Sequence, residues 1–242
     1  MNLTIDIGNS RSKLCVFDGD EIVFSESYNT LKIEVLVSLT KQFPIENAII
    51  CAVASYNEEL LQWLDGHTNR TIVLNAETPL PIKNEYATPE TLGLDRIAAV
   101  VGAYKQKPGC PLLVIDAGSA ITYDFLSADG VYKGGNIAPG AVMRFRALNA
   151  YTDKLPLVSL NEKRRNSLLG ADTRSAILDG VIYGIIFEIE GYIASLKEKN
   201  HDLQIFFTGG DAFFFENYIK NSIFVVSNLN AIGLNQILTY NL

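Results

Sequence analysis

One phrase occurs twice in this chain, and it narrows the possible folds more than any other feature. Near the start, "LTIDIGNSRSKLCVF" places Asp6 at the end of an apolar strand pattern, with Gly8 two positions on. In the second half, "LLVIDAGSAITYDF" places Asp116 and Gly118 in the same relation, 110 residues later. Each phrase runs from strand to tight turn to strand, and each second strand ends at an Asp-Gly turn, Asp18-Gly19 and Asp129-Gly130. A spacing of this length is too long for a solenoid repeat. It predicts two copies of one α/β domain, each opening with a β-hairpin that carries an Asp at the end of its first strand.

The rest of the pattern agrees with two domains, residues 1–109 and 110–242. The first half reads as strands over Asn2–Ile7, Ser12–Phe17 and Glu21–Ser27. A helix over Leu31–Gln42, a buried strand over Asn47–Ala54, a helix carrying Leu60, Leu61 and Leu64, and a strand over Arg70–Leu74 follow. Residues 76–96 hold Pro79, Pro81 and Pro89 and little periodicity, the mark of a long loop that is either functional or disordered. A helix begins beyond it, with Leu94, Ile97, Ala98 and Val101 on one face and Pro108-Gly109 as its stop. The second half gives strands over Leu112–Ile115, through Phe125, and over Val131–Lys133. Next come a glycine-rich turn at 134–141, a basic loop-like region that includes Lys163-Arg164-Arg165, and a long helix over Thr173–Lys197. Strands over Ile205–Thr208 and Ile223–Val226 precede a terminal helix.

Composition excludes several classes. Of 242 residues, 48% are hydrophobic and 19% charged, so the chain is globular rather than disordered. A formal net charge of −7 disfavours nucleic acid as a partner. Cys15, Cys51 and Cys110 are odd in number and lack CxxC spacing, which predicts reduced thiols in a cytoplasmic protein. No signal-peptide pattern opens the chain. The most apolar stretch, 176–196, is interrupted by Asp179, Glu188 and Glu190, which predicts a buried helix and no membrane span. His67 and His201 lie in polar, loop-like settings and are expected to be solvated, with no metal role.

The hairpin turns carry chemistry. Glycine lets a ligand approach the backbone, and rows of unpaired N–H groups form anion sites. Two such turns can clamp a polyphosphate, and an Asp beside each can hold a hard cation. Lys13 adds a point charge, while Ser10 and Ser119 add hydroxyl donors. Asp95, between the long loop and a helix, can orient a hydroxyl and take its proton, or simply favour the helix dipole. Arg96 beside it can grip a carboxylate or phosphate, or form a surface ion pair. Asp124 can pair with a cation or cap a turn. "TGGDA" at 208–212 is a third glycine turn, suited to a base or ribose edge. Ala176, Gly180 and Gly184 form a row of small residues on the long helix that would let another helix come close.

Taken together, the motifs resemble those of the actin-like ATPase and sugar kinase superfamily, and within it type III pantothenate kinases. The phrases that carry the resemblance are "DIGNSRSK" (6–13), "ETLGLDR" (90–96), "DAGSAITYDF" (116–125), "GGNIAPG" (134–140), "LLGADTRSAILDGV" (168–181) and "FFTGGDA" (206–212). Ser10 and Ser119 stand where the family usually has threonine, and both keep the hydroxyl. The resemblance implies two ribonuclease-H-like domains with a nucleotide in the cleft between them, and ATP-dependent phosphorylation of pantothenate, the entry to coenzyme A. It implies that Asp6, Ile7, Gly8, Asn9, Ser10, Arg11, Ser12, Lys13 and Ser119 bind ATP, with Asp6 at Mg²⁺. Tyr86, Gly93, Leu94, Asp95, Arg96 and Thr173 would bind pantothenate, with Asp95 as proton acceptor. Asp116 would hold a monovalent cation, K⁺ or NH₄⁺. The chain would act as a homodimer, with Thr173 reaching the neighbouring subunit's substrate. Two rivals are an inactive relative serving as a regulatory accessory factor and another kinase or phosphohydrolase on the same fold. The intact set Asp6, Lys13, Asp95, Arg96, Asp116 and Thr173 argues against the first, and the "GLDR" loop against the second.

Overall fold

The structure is a computed structural model of the whole chain, and it describes residues 1–8, 11–52, 58–163 and 167–242. The chain folds into two compact units. One comprises Met1–Gly109, Leu126–Gly134 and Asn228–Leu242, the other Cys110–Phe125 and Gly135–Ser227.

The first unit is built on a five-stranded sheet in the order β3-β2-β1-β4-β5. Its strands are β1 (Asn2–Ile7), β2 (Ser12–Asp18), β3 (Glu21–Tyr28), β4 (Asn47–Ala52) and β5 (Arg70–Val73). β1 pairs antiparallel with β2 and parallel with β4, so Asp6 lies opposite Lys13 on one side and Cys51 on the other. The parallel steps need crossovers, which α1 (Ile33–Gln42) and α2 (Glu58–His67) supply. Leu36, Leu39, Leu60 and Leu64 pack with Leu3, Ile5, Ile50 and Leu14 in one core.

Two further helices belong to this unit, α3 (Leu94–Gln106) and α7 (Leu229–Tyr240). They cross at close range through Gly102 and Gly233. A β-carbon on either would collide with backbone of the other helix, at Leu229 for Gly102 and at Ala98 for Gly233. Asn235 of α7 joins the sheet by side-chain hydrogen bonds, accepting from Asn2 at 2.9 Å and donating to the Gly19 carbonyl at 2.9 Å.

The second sheet has the order β11-β10-β7-β8-β9-β6. Its strands are β6 (Lys83–Asn84), β7 (Leu112–Ala117), β8 (Ala120–Leu126), β9 (Val131–Pro139), β10 (Gln204–Thr208) and β11 (Phe224–Val225). Setting β6 aside, β11-β10-β7-β8-β9 repeats β5-β4-β1-β2-β3, strand for strand in chain order. β10 runs parallel to both β7 and β11, as β4 does to β1 and β5. The repeated phrase of the sequence is therefore a repeated topology. The long α5 (Thr173–Lys197) covers this sheet with Ile182, Ile185, Ile189 and Ile193, against Leu113, Ile115, Ile205 and Phe207.

Three sequence expectations are corrected. Residues 134–139 continue β9 instead of forming a turn, with Gly134 accommodating a φ of 109° inside the strand. The region after them is not all loop: Ala141–Ala150 is a helix, α4. Only Ala141 and Phe145 of that helix are buried, so it has no broad apolar face for periodicity to reveal. His67 is not in a loop. It ends α2, stacked on Trp63 at 4.1 Å, with Nδ1 2.7 Å from the Trp63 carbonyl oxygen. A short helix, α6 (Ala212–Phe215), follows the third glycine turn. Arg164 and Arg165 lie outside the described residues, as do Val53 and Ala54 of the strand expected over 47–54. Among the described residues, no helix is long and apolar enough to cross a membrane.

Candidate functional site

The first unit gathers two carboxylates, a lysine, an arginine and a tyrosine. Asp6 is the penultimate residue of β1, where the sheet opens into the turn before β2. The Gly8 N–H donates to the Arg11 carbonyl at 3.0 Å and closes that turn. A β-carbon at Gly8 would stand 3.2 Å from the same carbonyl, so the close approach favours glycine. Asn9 and Ser10 lie outside the described residues. Ile7 is buried, Ser12 is buried at the start of β2, and Arg11 is exposed.

Asp6 is electrostatically unusual. Burial pushes its pKa up to about 6, and the nearby Asp95 carboxylate adds to the rise. A hydrogen bond from Asn230 and the charge of Lys13 oppose it. Asn230 Nδ2 donates to Asp6 Oδ2 at 3.3 Å. Asn230 Oδ1 is buried and has no hydrogen-bond partner among the described residues. A buried orphan acceptor costs about 1–3 kcal/mol. Burial and the same two carboxylates also push the Cys51 thiol up, so it is held protonated.

Asp95 lies in the first turn of α3, where its negative charge favours the helix dipole. Its Oδ1 accepts from the Arg96 N–H at 2.9 Å. Gly93 caps the helix without a side chain, and a β-carbon there would stand 2.6 Å from Asp95 Oδ1. That glycine leaves room for the carboxylate. Leu94 and Asp95 are half-buried, while Arg96 is only 5% exposed. The guanidinium of Arg96 stands 5.7 Å from the centre of the Tyr86 ring, within cation–π range.

Tyr86 is held from two sides. Its N–H donates to Asn84 Oδ1 at 3.0 Å, and its ring lies 6.1 Å from that of Tyr132. Before it, Glu85 is gripped by Lys83 at 2.5 Å and Lys133 at 2.7 Å, which lowers its pKa to about 2.

The second unit places the other expected residues. Asp116 is near the end of β7, beside Thr208 of β10. Gly209, at a φ of 97°, packs so tightly that a β-carbon would collide with the Ala117 carbonyl and the Asp116 carboxylate. The Gly140 N–H donates to the Ser119 carbonyl at 3.1 Å, which ties the turn after β7 to the start of α4. Ser119 is exposed. Asp211 donates its N–H to Ala117, and burial raises its carboxyl pKa. Asp124 is 1% exposed, so it is a core residue and not a group on an open surface.

Thr173 begins α5 behind an Asp172–Ser175 capping box and is itself exposed. It lines an apolar groove of 680 Å³ between α4 and α5, with Leu148, Leu155, Ile177 and Val181 among the walls. Gly180 also lines the groove, and no atom within 4 Å would oppose a β-carbon there.

Asp6, Lys13, Tyr86, Asp95 and Arg96 thus belong to one unit, and Asp116, Ser119 and Thr173 to the other. Sequence reasoning did not find Asn230, because its link to Asp6 spans 224 positions. It also passed over Cys51, whose place is set by strand register. Among the described residues, no cluster of three or more His, Cys, Asp or Glu can hold a metal by itself. Asp6 still suits a hard cation whose other ligands come from phosphate and water. The orphaned Asn230 oxygen beside it can accept from such a water.

The fold and the sequence both have relatives. Among solved structures, the chain aligns with glucokinase from an Antarctic psychrotroph at a TM-score of 0.54 and 11% identity, covering 99% and 98% of the two chains. An activator of 2-hydroxyisocaproyl-CoA dehydratase from Clostridium difficile, solved with bound ADPNP, aligns at 0.55 and 15%, covering 99% and 94%. A Campylobacter jejuni protein described as a Baf family transcriptional activator aligns at 0.60 and 26%, covering 99% and 98%. The fold is that of the actin-like ATPases and sugar kinases. In sequence, a type III pantothenate kinase of Phocaeicola vulgatus is 46% identical, over all of this chain and 99% of the relative. One from Bacteroides fragilis is 44% identical, over all of this chain and 98% of the relative. Residues 2–195 match the family model for type III pantothenate kinase. This chain belongs to the type III pantothenate kinase family.

Proposed function

We propose that the protein transfers the γ-phosphoryl group of ATP to the primary hydroxyl of pantothenate, giving 4′-phosphopantothenate and ADP in the first step of coenzyme A formation. The observation that carries the chemistry is the pairing of Asp6 with Asp95. The Asp95 carboxylate lies close enough to raise the proton affinity of Asp6, yet the two sit on different elements with different surroundings. Such pairs divide labour between charge and proton handling.

In the reaction, the pantothenate hydroxyl oxygen forms a bond to the γ-phosphorus. The bond from that phosphorus to the β–γ bridging oxygen breaks, and ADP leaves with the electron pair. The hydroxyl proton passes to Asp95, held in place by the Arg96 N–H. Arg96, propped by Tyr86, meets the substrate's carboxylate. The turn from Asp6 to Lys13 receives phosphate on its N–H groups, and Lys13 supplies a compensating charge. Mg²⁺ held by Asp6 would neutralise phosphate charge when bound. Asp116 is assigned to a monovalent cation and Ser119 to the nucleotide.

On this reading, residues 1–109 and 110–242 are duplicated domains, the reaction is cytoplasmic, and two copies of the chain pair. What supports a homodimer is the apolar groove bearing Thr173, with Leu168 and Leu169 exposed just before α5. Equilibrium sedimentation tests the pairing.

The activity is tested with purified protein, ATP and pantothenate, by following ADP release and confirming phosphopantothenate by ³¹P NMR. Turnover should be faster in K⁺ or NH₄⁺ than in Na⁺. ATP binding without turnover would sink the enzyme reading, and equal rates in all three salts would remove the role given to Asp116.

A further inference from the structure

Asn230 takes no part in the phosphoryl-transfer step itself, yet one end of its side chain meets Asp6 and the other is buried. Its amide group donates to one oxygen of Asp6 at 3.3 Å, and its carbonyl oxygen is buried without a hydrogen-bond partner among the described residues. The orientation follows from chemistry, since an ionised carboxylate can only accept and so must face the NH₂ end. The carbonyl is then the end left over. A buried acceptor persists against its desolvation penalty where a ligand supplies the donor. ATP phosphates are acceptors at neutral pH and cannot do so. Water bound to a divalent cation is a strong donor, and Asp6 is the adjacent carboxylate proposed to hold that cation.

We propose that Asn230 is a positioning residue for the metal–nucleotide complex: its N–H fixes the Asp6 carboxylate, and its carbonyl accepts from a water of the bound divalent cation. The inference rests on the reading that Asp6 holds Mg²⁺. It adds a contact from α7, the last helix of the chain, to a hairpin at its beginning.

The test uses ADP binding by calorimetry, in EDTA and across a Mg²⁺ titration, with Asn230→Leu, Asn230→Ser and Asp6→Asn alongside the wild type. Outer contacts to metal ligands are worth about 10–100-fold in metal affinity. Asn230→Leu is expected to raise the Mg²⁺ concentration for half-maximal ADP binding about tenfold, leaving binding in EDTA within about twofold. Asn230→Ser keeps a hydroxyl that both donates and accepts, so it should recover part of the response; it also serves if the leucine variant fails to fold. A purely structural role would lower the melting temperature without moving the Mg²⁺ midpoint. An unchanged midpoint in both Asn230 variants, with the Mg²⁺ response lost in Asp6→Asn, overturns the role of Asn230 and leaves that of Asp6 standing. A wild-type Mg²⁺ response in Asp6→Asn overturns both. A raised KM for pantothenate with an unchanged Mg²⁺ midpoint assigns the carbonyl to the acceptor substrate and also overturns the proposal.

Discussion

Gly93 faces the Asp95 carboxylate so closely that a β-carbon would stand 2.6 Å from Oδ1. The backbone of Gly93 has φ −56° and ψ 122°, which any residue can adopt. Its glycine is therefore required by the neighbouring carboxylate and not by the chain's own path. Gly93→Ala should displace Asp95 and lower kcat about 100-fold, the scale of a misplacement near 1 Å. Stability should change by less than about 1 kcal/mol. Steady-state kinetics beside a thermal melt check both halves, and an unchanged kcat would show that the position of Asp95 is immaterial.

Asp6 makes the opposite trade. In the unfolded chain its pKa is near the ordinary aspartate value of 3.8, and in the folded chain it is about 6. Between those values the folded state binds more protons, so stability falls as pH rises through the window and stays lower above it. The difference at neutral pH is at most about 3 kcal/mol, from about 1.4 kcal/mol per pKa unit. Without Mg²⁺, Asp6→Asn should melt higher than wild type at pH 8, with the gap closing near pH 4, while turnover is lost. A variant that melts lower at pH 8 would mean that Asp6 is not strained by burial.

Tyr86 is expected to act through Arg96. Removing the ring in Tyr86→Ala should loosen the guanidinium and raise the KM for pantothenate about tenfold, with kcat less affected; cation–π contacts span about 0.5–2 kcal/mol. Tyr86→Phe retains the ring and should stay close to wild type. Initial rates across a pantothenate series decide the point, and a Phe variant as impaired as the Ala variant would shift the role to the hydroxyl.

The crossing of α3 and α7 supports the site from behind. Gly233→Ala should destabilise the protein by about 1–3 kcal/mol, because a methyl meets the Ala98 backbone. Urea denaturation measures this. Since α7 also carries Asn230, a variant that folds should show a weaker response to Mg²⁺.

Much of this was legible in the chain. Asn2–Ile7 and Thr173–Lys197 coincide with observed elements, because one is a short, nearly continuous buried run, and the other has a long apolar register behind a capping aspartate. The duplicated hairpin gave the duplicated strand order, since register and turn are local matters. Helix α4 was hidden behind Pro139-Gly140 and two isolated buried residues, and β6 is two residues long. The second residue on Asp6 was out of reach for another reason. Asn230 meets it only after α7 packs on α3 and β1, and nothing near position 230 records that encounter.

The central claim is that Asp95 takes the proton of the pantothenate hydroxyl. Rapid-quench measurement of a single turnover with Asp95→Asn tests it most directly. Losing a positioned base costs about 10²–10⁴-fold. The account predicts a loss on that scale in the phosphoryl-transfer step, with ATP binding and the melting temperature retained. A transfer rate within about tenfold of wild type, below the range for a general base, would contradict it.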